Sequence, residues 1–128
     1  MQTILGIILC LHGLVHLWYV TLSRGWVDFQ ADMGWTGHSW ILTNTLGSDI
    51  TRGLATLLYS LATVSFTVAG IGLLANQDWA RTGMIIASLI SAGTILVFWD
   101  GSFKMLVEKG VIGFLISLGI LGAAVFLK

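Results

Sequence analysis

The sequence has no proline, one cysteine and few charged residues, and these shortages exclude whole classes of protein. Charged residues make up 9% of the 128 residues, whereas a soluble domain has roughly a quarter. Too few polar side chains remain to cover the surface of a water-soluble fold, so lipid must be the main solvent. The net charge of zero provides no electrostatic basis for binding nucleic acid.

The single cysteine, Cys10, excludes an intramolecular disulfide, a CxxC redox pair and a zinc site built from cysteines. It lies among aliphatic residues, where a free thiol behaves as a small buried hydrophobe. Without proline, the predicted helices have no proline kinks. The 16 glycines predict that these helices pack closely.

Four apolar stretches approach or reach the length of about 20 residues that a membrane-spanning helix needs. They cover residues 2–23, 53–75, 82–99 and 110–127. No Lys or Arg precedes the first stretch and no Ala-x-Ala-like site follows it, so we interpret it as a retained helix rather than a signal peptide. The sequence therefore predicts an all-α, multi-pass protein. Residues 1–128 form one transmembrane domain, a four-helix up-down bundle.

The connector between the first two predicted spans, residues 24–51, is the only long one. A connector of this length is usually functional or packed as a cap. The first and third connectors contain Arg24, Arg52, Lys104 and Lys109, against Arg81 and Lys128 on the side of the termini. By the positive-inside rule, this bias places the two connectors in the cytoplasm and both termini outside.

Polar residues share one face of each of the first two predicted spans, because helical residues turn by about 100° each. On the first span these are Gln2, Gly6, His12, Gly13, His16, Tyr19 and Ser23; on the second they are Arg52, Thr56, Tyr59, Ser60, Thr63, Thr67 and Gly70. The last two spans carry strips of small residues instead: Gly83, Ala87, Ser91, Gly110, Gly113, Ser117 and Ala124. Small residues let helix backbones approach closely in lipid. We therefore expect a polar interior between the first two spans.

Two histidines one turn apart are the centre of the predicted site. From a rise of about 1.5 Å per residue, His16 should lie level with Tyr59 and His12 level with Thr63. The predicted ligand-binding residues are His12, His16, Tyr19, Tyr59 and Thr63, with His38 and Trp40 from the capping connector. Ionisable groups inside a membrane mark either a functional site or a satisfied internal network. The histidines therefore either bond to Thr and Tyr hydroxyls and fix the packing, or line a pocket for a ligand.

Cofactors other than a quinone or a lipid fit these residues poorly. His12 and His16 could share a metal with His38, but no Asp or Glu lies inside the predicted spans to complete the site. A haem held by two histidines needs them on different helices, and only the first span carries any. The predicted spans contain no charged midplane pair and no broken helix that would support a transporter.

Residues 6–17 read GIILCLHGLVHL, and with the four-span plan they resemble the DoxX-like group of small bacterial and archaeal membrane proteins. The first helix of that group often bears a Gly-x-x-Lys pattern, and Gly13 and His16 here stand where its Gly and Lys do. The resemblance implies a prokaryotic cell-membrane protein with an amphipathic redox or isoprenoid ligand. Some members are associated with quinone-linked sulfur oxidation; the replaced Lys and the lone Cys10 argue against that activity.

The sequence thus favours a small, non-catalytic membrane protein. It would be a subunit of a larger complex, or a binder of a lipid-like or quinone-like molecule in an internal polar pocket. A quinone-linked oxidoreductase subunit and a small oligomeric transporter are the alternatives. The expected partners are the lipid bilayer and other membrane subunits or further copies of the chain.

Overall fold

The computed structural model describes residues 1–27 and 35–126, and the regular secondary structure in these ranges is helical. The helices are α1 (Gln2–Arg24), α2 (Thr43–Leu46), α3 (Ser48–Leu74), α4 (Ala80–Val97) and α5 (Val111–Phe126). Three of them, α1, α3 and α4, are long and apolar enough to cross a membrane, whereas α5 is apolar but has 16 residues. The predicted all-α class is confirmed for the described residues.

The helix ends agree with the prediction except at the start of α3, which begins at Ser48 rather than at residue 53. The prediction placed this end where the apolar run begins. The helix extends further back because Asp49 lies in its first turn, where a carboxylate interacts favourably with the helix dipole. At the other end of this connector, α1 is followed by Gly25, whose left-handed φ of 67° suits glycine.

The helices α1 and α3 approach each other closely. A Cβ atom on Gly70 would lie 2.6 Å from Cys10 Sγ and 2.7 Å from the Gly6 carbonyl oxygen, so only glycine fits there. Further along the pair, Tyr19 of α1 stacks on Tyr59 of α3. Because residue numbers rise along α1 as they fall along α3, the two helices are antiparallel.

The same reversal relates α4 to its neighbours. Ala69 of α3 packs on Gly83 of α4. At one end of α4, the Arg81 guanidinium donates to the carbonyl oxygens of Ala124, at 2.8 Å, and Val125, at 3.0 Å. These carbonyls belong to the last turn of α5, where the carbonyl oxygens have no N–H donors within the helix. Arg81 therefore fastens the end of α5 to the start of α4.

Several polar side chains are buried and many large apolar side chains are exposed in the described helices, whereas a water-soluble protein exposes most of its polar side chains. The buried polar residues include His12, His16, Thr63, Ser88, Ser91, Thr94 and Ser117. The exposed apolar residues include Ile4, Leu11, Leu57, Val64, Leu89 and Leu115. An apolar surface of this extent needs a cover other than water. Together with the candidate spans, it indicates a lipid environment.

Two hydrophobic clusters divide the interior along the helices. The terminal-side core lies near the start of α1 and the end of α5, and consists of Leu9, Phe66, Ala69, Leu73, Ala80, Met84, Ala87, Ile120 and Ala124. The loop-side core lies near the end of α1 and the start of α3, and consists of Tyr19, Val20, Leu22, Trp35, Ala55, Tyr59, Ile95 and Phe98. The two histidines lie between these cores.

Candidate functional site

His12 and His16 both point into the protein, with 6% and 2% of their surfaces exposed. Their rings meet edge to face, with centroids 5.0 Å apart. Phe66 of α3 packs against both rings, at centroid distances of 4.8 Å from His12 and 5.8 Å from His16. The prediction that this face of α1 is internal agrees with their burial.

The hydrogen bonds of His16 determine which of its nitrogens carries the proton. Nδ1 lies 2.9 Å from the carbonyl oxygen of His12. A carbonyl oxygen only accepts, so Nδ1 must donate. In a neutral imidazole Nε2 is then the acceptor, and the Ser91 hydroxyl at 2.7 Å donates to it.

The donor and acceptor roles at His16 also determine those of Ser117 and His12. Because the Ser91 hydroxyl proton is used, Ser117 Oγ, 2.8 Å away, must donate to Ser91 Oγ. Ser117 in turn accepts from Nε2 of His12 at 3.1 Å. We call these four residues the His–Ser network. With neutral imidazoles, its protons have one consistent arrangement, running from His12 through both serines to His16.

The His–Ser network joins three helices, since its histidines are on α1, Ser91 is on α4 and Ser117 is on α5. Both serines have 0% of their surface exposed. In lipid, where no water can satisfy a polar group, such a closed set of hydrogen bonds holds helices together. The arrangement matches the structural reading of the histidines, with serines in place of the expected Thr and Tyr partners.

The two predicted partners on α3 do not bond to the histidines. His16 lies at the expected level, with its ring centroid 6.2 Å from that of Tyr59, but its hydrogen bond goes to Ser91. The Thr63 hydroxyl donates to the Tyr59 carbonyl oxygen, 3.0 Å away, within its own helix. The backbone of Thr63 packs against Gly13, where an added Cβ would lie 3.0 Å from the Thr63 carbonyl oxygen.

Four aromatic residues pack beside His16 on the loop side, and we call them the aromatic cluster: Tyr19, Trp35, Tyr59 and Phe98. The Tyr19 and Tyr59 rings stack at 4.8 Å with an interplanar angle of 15°. Trp35 packs against Tyr59 at 6.4 Å and against Phe98 at 5.8 Å. Trp35 is 3% exposed, so this residue of the connector closes the interior.

The two connector residues predicted for the site lie further out. His38 is exposed, and its carbonyl oxygen accepts a 3.0 Å bond from the Trp35 indole. Trp40 is 48% exposed and donates through its indole to the Leu96 carbonyl oxygen. His38 therefore positions Trp35, and Trp40 attaches the connector to the end of α4. Neither makes a hydrogen bond to the histidines of α1 among the described contacts.

A cleft of about 130 Å³ lies between α4 and α5 on the loop side. Its lining residues are Ile95, Leu96, Trp99, Leu106, Lys109, Val111 and Phe114. We call it the α4–α5 cleft. Ile95 also belongs to the loop-side core, and a Cβ on Gly110 would lie 2.9 Å from the Tyr19 hydroxyl. The inner wall of the cleft therefore touches the aromatic cluster.

One ion pair lies at the outer end of this cleft. Lys109 Nζ is 2.8 Å from a carboxylate oxygen of Asp100, and both side chains are largely shielded. Across the described residues, no three His, Cys, Asp or Glu side chains come together as a group that could hold a metal ion.

Sequence reasoning missed Ser91, Ser117 and Phe66 as neighbours of the histidines. Both serines were assigned to the small-residue strips of the last two predicted spans. The available signal was that these are the hydroxyl-bearing members of strips otherwise made of Gly and Ala. A hydroxyl on a close-packed strip is placed to meet a polar group on a neighbouring helix.

No family model matches the chain, and comparisons with curated proteins and with solved structures find no match either.

Proposed function

We propose that this chain is a four-span integral membrane protein that binds a lipid-like molecule with a planar polar head, such as a quinone, without transforming it. The head would occupy the α4–α5 cleft. The observation that carries the proposal is the shared wall: Ile95 lines the cleft and packs in the same core as Tyr19 and Tyr59. An amphipathic molecule entering from the bilayer would thus place its head beside stacked aromatic rings.

The fourth span in this proposal is α5. Its 16 residues extend about 24 Å at a rise of about 1.5 Å each. This is shorter than a hydrocarbon core of about 30 Å, and a bilayer accommodates a short span by thinning locally. Exposed residues of α5 are strongly apolar: Ile112, Leu115, Ile116, Leu118 and Val125. With four antiparallel spans the helices form an up-down bundle, the architecture of the DoxX-like group.

The cleft combines an apolar floor with polar groups at its outer end. Leu96 and Phe114 would contact an isoprenoid or acyl chain, while Trp99 and Lys109 lie where a polar head would sit. The Tyr19 hydroxyl donates to the Glu108 carbonyl oxygen at 3.4 Å, which is longer than the usual O–H···O hydrogen bond. A bond this long is readily exchanged for one to a ligand carbonyl.

Binding without catalysis is supported by the hydrogen bonds of three of the four ring nitrogens of His12 and His16. Both ring nitrogens of His16 and Nε2 of His12 already have partners within the protein. A histidine that protonates a quinone needs a nitrogen facing the ligand. In this arrangement the His–Ser network holds the bundle together next to the ligand rather than reacting with it.

The ligand is tested by purifying the protein, recording its visible spectrum and analysing the lipids extracted from it. Decylubiquinone titration then tests the site, because a quinone quenches the fluorescence of a nearby tryptophan. Trp99→Phe should lose most of the quenching, since Trp99 lines the cleft. Trp26→Phe, which removes an exposed tryptophan elsewhere on the loop side, is the control. Equal quenching in the wild type and Trp99→Phe would contradict a quinone-like head in the cleft.

The four-span topology is tested by labelling single cysteines in a Cys10→Ala background. Cysteines replacing Asp32 and Lys104 should react from one side of the membrane, and a cysteine replacing Gln77 from the other. Asp32 lies outside the described residues and represents the first connector. Labelling of positions 32 and 104 from opposite sides would reject four spans, whatever the ligand.

A further inference from the structure

A second cleft, of about 280 Å³, lies where α1 ends and α3 begins. Its lining residues are Ser23, Arg24, Asp49, Arg52, Gly53 and Thr56. We call it the arginine cleft. It lies on the loop side as well, but it shares no lining residue with the α4–α5 cleft. A Cβ on Gly53 would meet no atom within 4 Å, so the floor at this point is open.

Arg52 is held in a fixed position in this cleft. Its Nη2 donates at 3.2 Å to the Leu22 carbonyl oxygen, which also accepts from the Gly25 backbone N–H at the end of α1. The guanidinium lies against the connector, since a Cβ on Gly25 or Gly37 would be at ordinary contact distance from its nitrogens, 3.6 and 3.7 Å. A guanidinium has five N–H donors. The bond to Leu22 uses one of them.

Arg24 provides the second positive charge, at the last position of α1. Its guanidinium carbon lies 6.0 Å from the centre of the Trp26 ring, and Trp26 is 70% exposed. Tryptophan favours the headgroup region of a bilayer. This pair therefore places the mouth of the arginine cleft at the level of lipid headgroups.

The hydroxyls on the floor of the cleft are already committed to the protein. Ser23 and Thr56 lie 2.7 Å apart, and each has a carbonyl oxygen of its own helix within hydrogen-bond distance, so their two protons serve two of these three contacts. The attraction for a ligand must therefore come from the arginines. Two arginines against the single carboxylate of Asp49 give the lining residues a formal charge of +1.

We propose that the arginine cleft binds the phosphate group of an anionic phospholipid. Guanidinium groups recognise phosphate oxygens through paired N–H donors. A phospholipid delivers its phosphate at the depth where Trp26 and Arg24 lie, with its acyl chains along the exposed apolar faces of α1 and α3. The site is separate from the proposed quinone-like site, but it does rest on the membrane placement of these helices.

The test is native mass spectrometry of the detergent-solubilised protein with equal amounts of phosphatidylglycerol and phosphatidylcholine. The wild type should retain phosphatidylglycerol in preference. Arg24→Gln should lower that preference about fivefold, the effect of removing one basic residue near an anionic lipid surface. Arg24 is chosen over Arg52 because, among the described contacts, only Arg52 bonds to a carbonyl oxygen near the end of α1. Asp49→Asn should raise the preference for phosphatidylglycerol, because it removes a negative charge from the cleft.

Lys104→Gln is the matched control, because it removes one positive charge from the same side but outside the cleft. An equal loss of preference in Arg24→Gln and Lys104→Gln would reduce the effect to general charge and overturn the proposal. Displacement of the phospholipid by millimolar inorganic phosphate would assign the cleft to a free anion and overturn it as well. Decylubiquinone quenching should be unchanged in Arg24→Gln, so failure of this site is distinguishable from failure of the quinone-like site.

Discussion

The two cores of this protein are built on opposite principles, although the same helices pass through both. Beside the terminal-side core the backbones of α1 and α3 themselves touch, as where Gly70 faces Gly6 and Cys10. In the loop-side core large rings fill the space between helices, and one of them, Trp35, comes from the connector. The close contact of the α1 and α3 backbones tolerates no added atoms, whereas the loop-side core tolerates no loss of a ring.

This difference follows from what each end must accomplish. In lipid the hydrophobic effect does not drive helices together. Close van der Waals contact between small residues holds them together instead. At the loop side the helix ends meet the connector and water, and burying aromatic surface there again gains from the hydrophobic effect. The His–Ser network lies at the boundary of these two regimes.

Removing Trp35 should have the largest effect on stability. Trp35→Ala deletes the ring that packs on Tyr59 and Phe98, and a buried tryptophan replaced by alanine costs about 3–5 kcal/mol. The measurement is thermal unfolding in detergent. Trp40→Ala is the control from the same connector, and because Trp40 is 48% exposed it should cost far less. Equal losses for the two variants would show that Trp35 is not part of the core.

Adding one carbon at Gly70, beside the terminal-side core, should have the next largest effect. Gly70→Ala forces a Cβ to 2.7 Å from a backbone oxygen, and overpacking of this kind costs about 1–3 kcal/mol. Gly93→Ala makes the same change on α4, where nothing lies within 4 Å. We expect its melting temperature to stay at or above that of the wild type. If Gly93→Ala destabilises as much as Gly70→Ala, the close approach of α1 and α3 is not what sets the cost.

Much of the fold was predictable because it follows from hydropathy and periodicity. The burial of His12, His16, Tyr59 and Thr63 follows from the polar faces of two helices. The start of α3 was not predictable in this way, because its first turn is polar and depends on Asp49 and the helix dipole rather than on lipid. Hydropathy marks the part of a helix in the membrane, not where the helix ends.

The partners within the site were less predictable. Periodicity states which face of a helix is internal, but not which of the other helices that face meets. The polar faces of α1 and α3 were expected to bond to each other. In the structure α1 and α3 approach so closely that Gly13 and Phe66 occupy the space between them, and the histidines turn towards Ser91 and Ser117. Choosing between these arrangements requires the three-dimensional packing.

The His–Ser network can be tested with a double-mutant cycle on His16 and Ser91. His16→Ala leaves the Ser91 hydroxyl without its acceptor, and stranding a buried polar group costs about 1–3 kcal/mol. The Ser91→Ala cost should not add to it, since both variants break the same 2.7 Å bond. Unfolding free energies of the two single variants and the double variant give the coupling, which we expect at about 1 kcal/mol or more. Purely additive costs would mean that the two residues do not interact. His16→Ala with Tyr59→Phe is the comparison cycle, and it should show weaker coupling.

The smallest predicted effect concerns Ser88. Ser88 and Ser91 lie one turn apart on α4, and 1% and 0% of their surfaces are exposed. Ser91 has two hydrogen-bonded partners, whereas the Ser88 hydroxyl has none among the described residues. A buried hydroxyl without a partner is unfavourable, so Ser88→Ala should leave stability unchanged or raise it by up to about 1 kcal/mol. Ser91→Ala removes the same atom and should lower it. The measurement is thermal unfolding of the two variants in the same detergent. If Ser88→Ala loses as much stability as Ser91→Ala, any buried hydroxyl on α4 stabilises the packed helices. The His–Ser network would then have no special part in joining α1, α4 and α5.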